Sequence, residues 1–227
     1  MTTLLIATRN NHKVGEIRAI LGDKFRYLTL ADLQNPPSVV EDADTFEGNA
    51  SKKATELARW LISNSLNSQP STLNYILADD SGLEVDALNG APGVHSARFA
   101  ALDRSAGGPP ASGNCNTPDA DNNAKLLRLL KDVPLEKRTA RFRCVIALVE
   151  LDSSFVIRDS SFFNGACEGR IGFELRGTNG FGYDPLFLPD GYARTYAEIG
   201  DDEKNRISHR ARALWKLSQA LRDIGPK

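Results

Sequence analysis

The chain has 227 residues, 41% hydrophobic and 25% charged, with a formal net charge of −1 and a pI near 6.3. That length supports one large domain or one domain with two lobes. The charge balance argues against duplex nucleic acid as a partner, and no run approaches the roughly 18 apolar residues of a membrane span. A small anionic ligand needs only a local basic pocket and stays compatible with this balance. The opening "MTTLLIATRNNHK" is not expected to be a signal peptide, because its apolar run is short and no basic segment precedes it.

Residues 3–8, "TLLIAT", read as a short buried strand. The polar "RNNHK" follows, and then Val14, Ile17, Ile20 and Leu21 recur at helical spacing. A second helix is expected over 44–62, with Asp44 and Glu47 as a capping box and Phe46, Ala50, Ala54, Leu57, Ala58 and Leu61 as its apolar stripe. A polar loop over 63–74 leads to the strand "YILA", a turn at "DDSG" (79–82) and a second strand "LEVDA", where Leu83, Val85 and Ala87 alternate with Glu84 and Asp86. Residues 101–117, rich in Gly, Pro, Ser and Asn, read as a mobile loop. A third helix is expected over 118–133. A long strand then covers 138–151, with Ala140, Phe142, Cys144, Ile146 and Leu148 on one face. Two further strands are expected at 154–163 and 165–173, and a last helix over 208–224 with Leu214, Leu217, Leu221 and Ile224 inward. Strands and helices interleave without a strict βαβ repeat, so the fold class is α/β with a mixed sheet. The cysteines Cys115, Cys144 and Cys167, and the histidines His12, His95 and His209, are scattered. Neither a disulfide framework nor a structural zinc site is indicated, and a reduced cytoplasmic compartment is the expectation.

Five segments can carry chemistry. "TRNNHK", Thr8 to Lys13, leaves a strand and opens a helix. Backbone N–H groups and the positive end of a helix dipole make a phosphate seat there, and Lys13 adds charge. An ordinary polar connection has the same composition. In the second helix Asn49 and Lys53 share a face. Lys53 suits a phosphate, or is a solvated surface lysine. Asp79 and Asp80 adjoin in sequence, and like charges so close suit either a solvated acidic turn or a hard divalent cation such as Mg²⁺, with Glu41 as a further oxygen ligand. Ser81 lacks the Gly-x-Ser-x-Gly elbow of a hydrolase nucleophile. "GTNGFGYDPLF", 177–187, sets glycines around Phe181 and Tyr183, which can stack on a flat base or pack in a core. "EKNRISHRARAL" places Lys204, His209 and Arg210 near the start of the last helix, as base contacts or as a basic first turn.

Taken in this order, the segments resemble the inosine triphosphate pyrophosphatase family of non-standard purine nucleotide hydrolases, over Thr8 to Leu214. The family pattern Thr/Ser-x-Asn-x-x-Lys matches Thr8, Asn10 and Lys13, with Arg9, Asn11 and His12 between them. Its acidic metal ligand matches Glu41, and its Asn-Ala-x-x-Lys-Ala core matches Asn49, Ala50, Lys53 and Ala54. Asp-Asp-Ser-Gly-Leu matches 79–83, followed by Pro92, Gly93, Ser96, Ala97 and Arg98. Phe-Gly-Tyr-Asp-Pro matches Phe181, Gly182, Tyr183, Asp184 and Pro185, and Ser-His-Arg matches 208–210. Gly48, His95, Asn179 and Ala211 depart from common family residues at positions to which no chemistry is assigned.

The resemblance implies a single two-lobed domain over 1–227 with an active-site groove between lobes, a homodimer, and a Mg²⁺ requirement. It implies hydrolysis of non-standard purine nucleoside triphosphates to the monophosphate and pyrophosphate. Glu41 and Asp80 are then the metal ligands and Asp80 the catalytic base. Thr8 to Lys13 and Lys53 become the phosphate-side contacts, and Ser81 a further substrate contact. Phe181 to Asp184, Lys204, His209 and Arg210 become the base-side contacts. An arginine is always a donor, so Arg210 facing ring position 6 favours an oxo group over the amino group of adenine. Three rivals are a Maf-type pyrophosphatase acting on other modified nucleotides, a nucleotide-binding regulator without turnover, and a serine hydrolase built on Ser81.

Overall fold

The computed structural model describes residues 1–64, 73–103, 116–151 and 157–223. Most of the loops expected at 63–74 and 101–117 lies outside the described residues, as do Cys115 and Ile224. In chain order the main elements are β1 (Thr3–Ile6), α1 (Asn11–Leu21), β2 (Arg26–Thr29), α2 (Phe46–Asn64), β3 (Leu73–Val85), α3 (Asp119–Leu129), β4 (Thr139–Leu151), β5 (Ile157–Ile171), β6 (Phe187–Pro189), α4 (Tyr196–Ile199), α5 (Asp201–Ile207) and α6 (His209–Asp223). The strands form one mixed sheet in the order β2-β1-β3-β4-β5-β6. β1 pairs parallel with β2 and β3, and β5 pairs antiparallel with β6.

The chain divides into two units, one of Met1–Asp80, Cys144–Gly165 and Arg210–Lys227, the other of Ser81–Arg143 and Ala166–His209. In the first, β1 is buried along its whole length. A parallel strand covered on both faces needs such an unbroken apolar run. Leu4 and Ile6 pack with Ile17 and Leu21 of α1, Tyr75 and Leu77 of β3, Cys144, Ile146 and Leu148 of β4, and Ala213, Leu214 and Leu217 of α6. α2 buries Phe46, Ala50, Ala54, Leu57, Ala58 and Leu61, the expected stripe. Its start differs in one respect: Gly48 N–H donates to Thr45 Oγ1 at 3.0 Å, so Thr45 is the cap rather than Asp44. A threonine hydroxyl directly before the first helical residue reaches the third N–H; an aspartate one residue earlier is displaced from that position.

In the second unit Leu83, Val85, Phe99, Leu126, Leu130, Phe142, Phe187 and Tyr196 form the core. The Phe142 and Phe187 rings meet edge-on, 4.8 Å between centroids. Arg138 is buried and donates to the carbonyls of Val133, Gly172 and Leu130.

Two strand expectations need correction. The segments 157–163 and 165–171 are one strand, β5, not two. More important for function, residues 79–82 are not a turn: β3 runs unbroken through Asp79 and Asp80. Asp, Ser and Gly favour turns because their side chains compete for nearby backbone groups. Here both carboxylates find cationic side chains from other elements, and the backbone keeps its strand.

Candidate active site

A strand sends successive side chains to opposite faces. Within the first unit this separates the adjacent aspartates. Asp79 faces α1 and α6: it accepts from Arg210 Nε at 2.9 Å and Nη2 at 3.3 Å, and forms an ion pair with Lys13. Cys144 Sγ lies 3.1 Å from Asp79 Oδ2. Asp80 faces α2: its Oδ1 accepts from Lys53 Nζ at 2.8 Å, and its Oδ2 from Asn49 Nδ2 at 3.3 Å. Lys53 also donates to the Asp79 backbone carbonyl at 2.8 Å and lies 3.3 Å from Glu41 Oε2. Asn49 is itself fixed by Ala43, whose N–H donates to Asn49 Oδ1 at 3.0 Å.

The two carboxylates have different electrostatics. Burial pushes Asp79 up, but the Arg210 guanidinium and the Lys13 ammonium outweigh it and hold the carboxyl well below the usual range. Asp80 is raised, chiefly by burial, with Glu41 adding to the rise and Lys53 and Lys13 opposing it. For Glu41 burial is outweighed by Lys53 and Lys13, and the group is lowered. Burial depresses Lys53, yet the Asp80 and Glu41 charges prevail and raise it. Carboxylates whose environments push them apart mark separate roles. Asp79 is thereby held as a buried anion, while Asp80 keeps the higher affinity for a proton.

Among the described residues no cluster of three or more His, Cys, Asp or Glu side chains forms a metal cage. Glu41 and Asp80 are nonetheless two oxygen anions converging on one ammonium, Lys53. That donor set suits a hard divalent cation which keeps waters or phosphate oxygens for its remaining positions.

The loop from Thr8 to Lys13 is organised by Asn10. Its Oδ1 accepts from His12 N–H at 2.9 Å and Lys13 N–H at 3.2 Å, while Asn10 N–H donates to Thr8 Oγ1 at 3.2 Å. Two of the unpaired N–H groups expected to receive phosphate are therefore capped internally. Asn11 and His12 are exposed, and Arg9 is exposed with its guanidinium on the Pro36 and Pro37 carbonyls.

In the second unit Asp184 Oδ2 accepts from Phe181 N–H at 2.9 Å and Lys204 Nζ at 2.6 Å, with both charged groups buried. Lys204 Nζ stands 4.7 Å from the centre of the half-buried Phe181 ring. Gly180 and Gly182 take φ of +75° and +62°, and a Cβ on Gly180 would sit 2.1 Å from Asp184 Oδ2. Tyr183 is a core residue whose hydroxyl donates to Ser96 O at 2.9 Å, which leaves Phe181 as the aromatic of this loop on the surface side. His209 is buried and stacks on Phe142, 4.8 Å between centroids at 11°. Ser81 lies within β3, not on a strand-to-helix elbow. Arg210, expected at the base edge, is buried in the first unit with its guanidinium on Asp79 and Glu16.

Glu16 and Cys144 lie in this cluster without having been singled out by sequence reasoning. Glu16 sits three positions after Lys13 and beside the buried Ile17, so an acidic residue on the inward face of α1 was its available signal. Cys144 had only its place on the inward face of β4.

A mixed α/β sheet carries, along β3, buried carboxylates paired with lysine and arginine cations, an arrangement found in an enzyme family. The chain belongs to the Ham1 family, whose model matches residues 4–220. It is 41% identical to the dITP/XTP pyrophosphatase of Shouchella clausii over 227 residues, all of both chains, and 46% identical to that of Geobacter sulfurreducens over 222 residues, 97% of each. Among solved structures it resembles the Staphylococcus aureus Ham1 protein (TM-score 0.76, 32% identity, 98% of this chain and 100% of that one). It also resembles a HAM1 protein from Coxiella burnetii (TM-score 0.76, 35% identity, the same coverage). The resemblance drawn from the motifs is thereby borne out.

Proposed function

We propose that this protein hydrolyses non-standard purine nucleoside triphosphates, the inosine, deoxyinosine and xanthosine triphosphates, to the monophosphate and pyrophosphate. The observation that carries this reading is the convergence of Asp80 and Glu41 on Lys53, in a chain whose full-length relatives are named dITP/XTP pyrophosphatases. Lys53 and Lys13 supply positive charge for the phosphate chain. Asp80 already accepts from Lys53 and Asn49, and a carboxylate has about four lone-pair sites, so capacity is left to orient a water. Asp80 takes that water's proton as its oxygen bonds to the α-phosphorus, and the bond to the bridging α,β-oxygen breaks, releasing pyrophosphate. Glu41 and Asp80 would hold Mg²⁺, which when bound neutralises phosphate charge and polarises the phosphoryl group.

We assign Arg210 to fixing Asp79, and through Asp79 the strand that carries Asp80, in place of reading the base. Phe181 with Lys204 is our choice for the base-recognition surface. The same reading makes the protein a cytoplasmic homodimer; no described helix is long and apolar enough to cross a membrane. The deciding experiment is pyrophosphate release from a nucleotide panel with Mg²⁺ and with EDTA. Release from inosine and xanthosine triphosphates at rates far above adenosine triphosphate, abolished by EDTA, is expected. Stepwise release of single phosphates, or equal use of all bases, would refute the reading. Light scattering on the purified protein tests the dimer.

A further inference from the structure

Two residues of α3 bear on the loop that carries Phe181. Asp119 opens α3 and Asn123 follows one turn later, so the two share a helix face. Gly182 N–H donates to Asp119 Oδ2 at 2.7 Å, and Asn123 Nδ2 donates to Gly182 O at 2.9 Å. One glycine is thus held from both sides by one helix. Its φ of +62° is a left-handed conformation that favours glycine, and the neighbouring Phe181 N–H is fixed to Asp184. Asn123 is 4% exposed, and its Oδ1 is buried without a hydrogen-bond partner among the described residues. A buried amide does what an apolar side chain of that size cannot, and here Asn123 donates to Gly182 O.

We propose that Asp119 and Asn123 are positioning residues that set the stance of Phe181, and with it the affinity for the nucleobase half of the substrate. The inference rests on the functional reading above. Both residues belong to the second unit and the carboxylate cluster to the first, so pyrophosphate affinity and kcat serve as the internal controls. Asp119→Ala removes the acceptor for Gly182 N–H. Asn123→Leu removes the donor to its carbonyl with little change of volume. Asp119→Asn restores an acceptor oxygen without the charge.

The test measures kcat and KM for inosine triphosphate, the inhibition constant of pyrophosphate, and amide exchange over residues 177–187 in all four proteins. Asp119→Ala and Asn123→Leu should each raise KM about tenfold, the scale of one lost hydrogen bond at a ligand-binding surface. The parent's kcat and the inhibition by pyrophosphate should hold within about twofold. Asp119→Asn should recover most of the loss, and Gly182 should exchange faster in Asp119→Ala. An unchanged KM, or equal weakening of inosine triphosphate and pyrophosphate, would overturn the proposal. If the parent itself releases no pyrophosphate, the functional reading fails on its own. The clamp is then judged by exchange alone, and unaltered protection of Gly182 in Asp119→Ala overturns it.

Discussion

Replacing Asp80 by asparagine separates chemistry from folding. The change keeps the shape and an acceptor oxygen for Lys53, while removing the charge that would hold a cation and accept a proton. Lys53 is not orphaned, because the Asp79 carbonyl at 2.8 Å and Glu41 at 3.3 Å remain. The 3.3 Å contact from Asn49 Nδ2 turns unfavourable, and Asn49 keeps its bond from Ala43 N–H. That amounts to about 1 kcal/mol, or a Tm change of about 2–4 °C for a chain of this size. A compensating gain opposes even this. Burial raises the Asp80 carboxyl in the folded protein, so its ionised form costs stability. A group raised on folding leaves stability intact below the unfolded pKa and erodes it as pH rises through the folded pKa. Parent and variant should therefore differ least below about pH 4, and the variant should gain on the parent above it, with metal removed by EDTA. Turnover of inosine triphosphate should fall a hundredfold or more, on the scale of about 10²–10⁴ for a general base. Pyrophosphate release and thermal melting in EDTA read the two effects. Turnover within tenfold of the parent, or a Tm loss above about 10 °C, would refute the reasoning.

Lys53→Met leaves Glu41 and Asp80 facing each other without their shared cation. Breaking one side of a buried pair costs about 3–5 kcal/mol, so melting in EDTA should drop sharply, and added Mg²⁺ should raise Tm more in the variant than in the parent. Arg210→Ala strips Asp79 of two donors and removes the guanidinium that Glu16 accepts from. Stability should fall by a similar amount while the ratio of kcat/KM between inosine and adenosine triphosphates stays constant; a collapse of that ratio would return Arg210 to base recognition. Gly15 is exposed within α1, and a Cβ there meets nothing within 4 Å. Gly15→Ala should therefore stabilise the protein by about 0.5–1 kcal/mol, visible as a higher midpoint in denaturant with unchanged slope.

Periodicity made the helices legible. α1, α2, α3 and α6 fall where apolar residues recur at helical spacing, because each element buries one stripe and its own sequence encodes that stripe. Residue type and order also disclosed the family, and so the lysines and carboxylates worth watching. The short strands β2 and β6, four and three residues long, carry too few alternations to stand out, and exist because a neighbouring strand offers them a ladder.

What the chain could not disclose locally was the company each charge keeps. Asp79 and Asp80 sit in a stretch whose composition argues for a turn, and a turn would have left both in water. As a strand, the same residues diverge to opposite faces, and the partners come from far along the chain: Arg210 is 131 positions from Asp79 and 194 from Glu16. Those contacts decide burial, and burial and partner charge together hold one carboxyl ionised and raise its neighbour's affinity for a proton. Sequence determined which groups were available; only the packed sheet determined which cations each of two identical, adjacent side chains would meet.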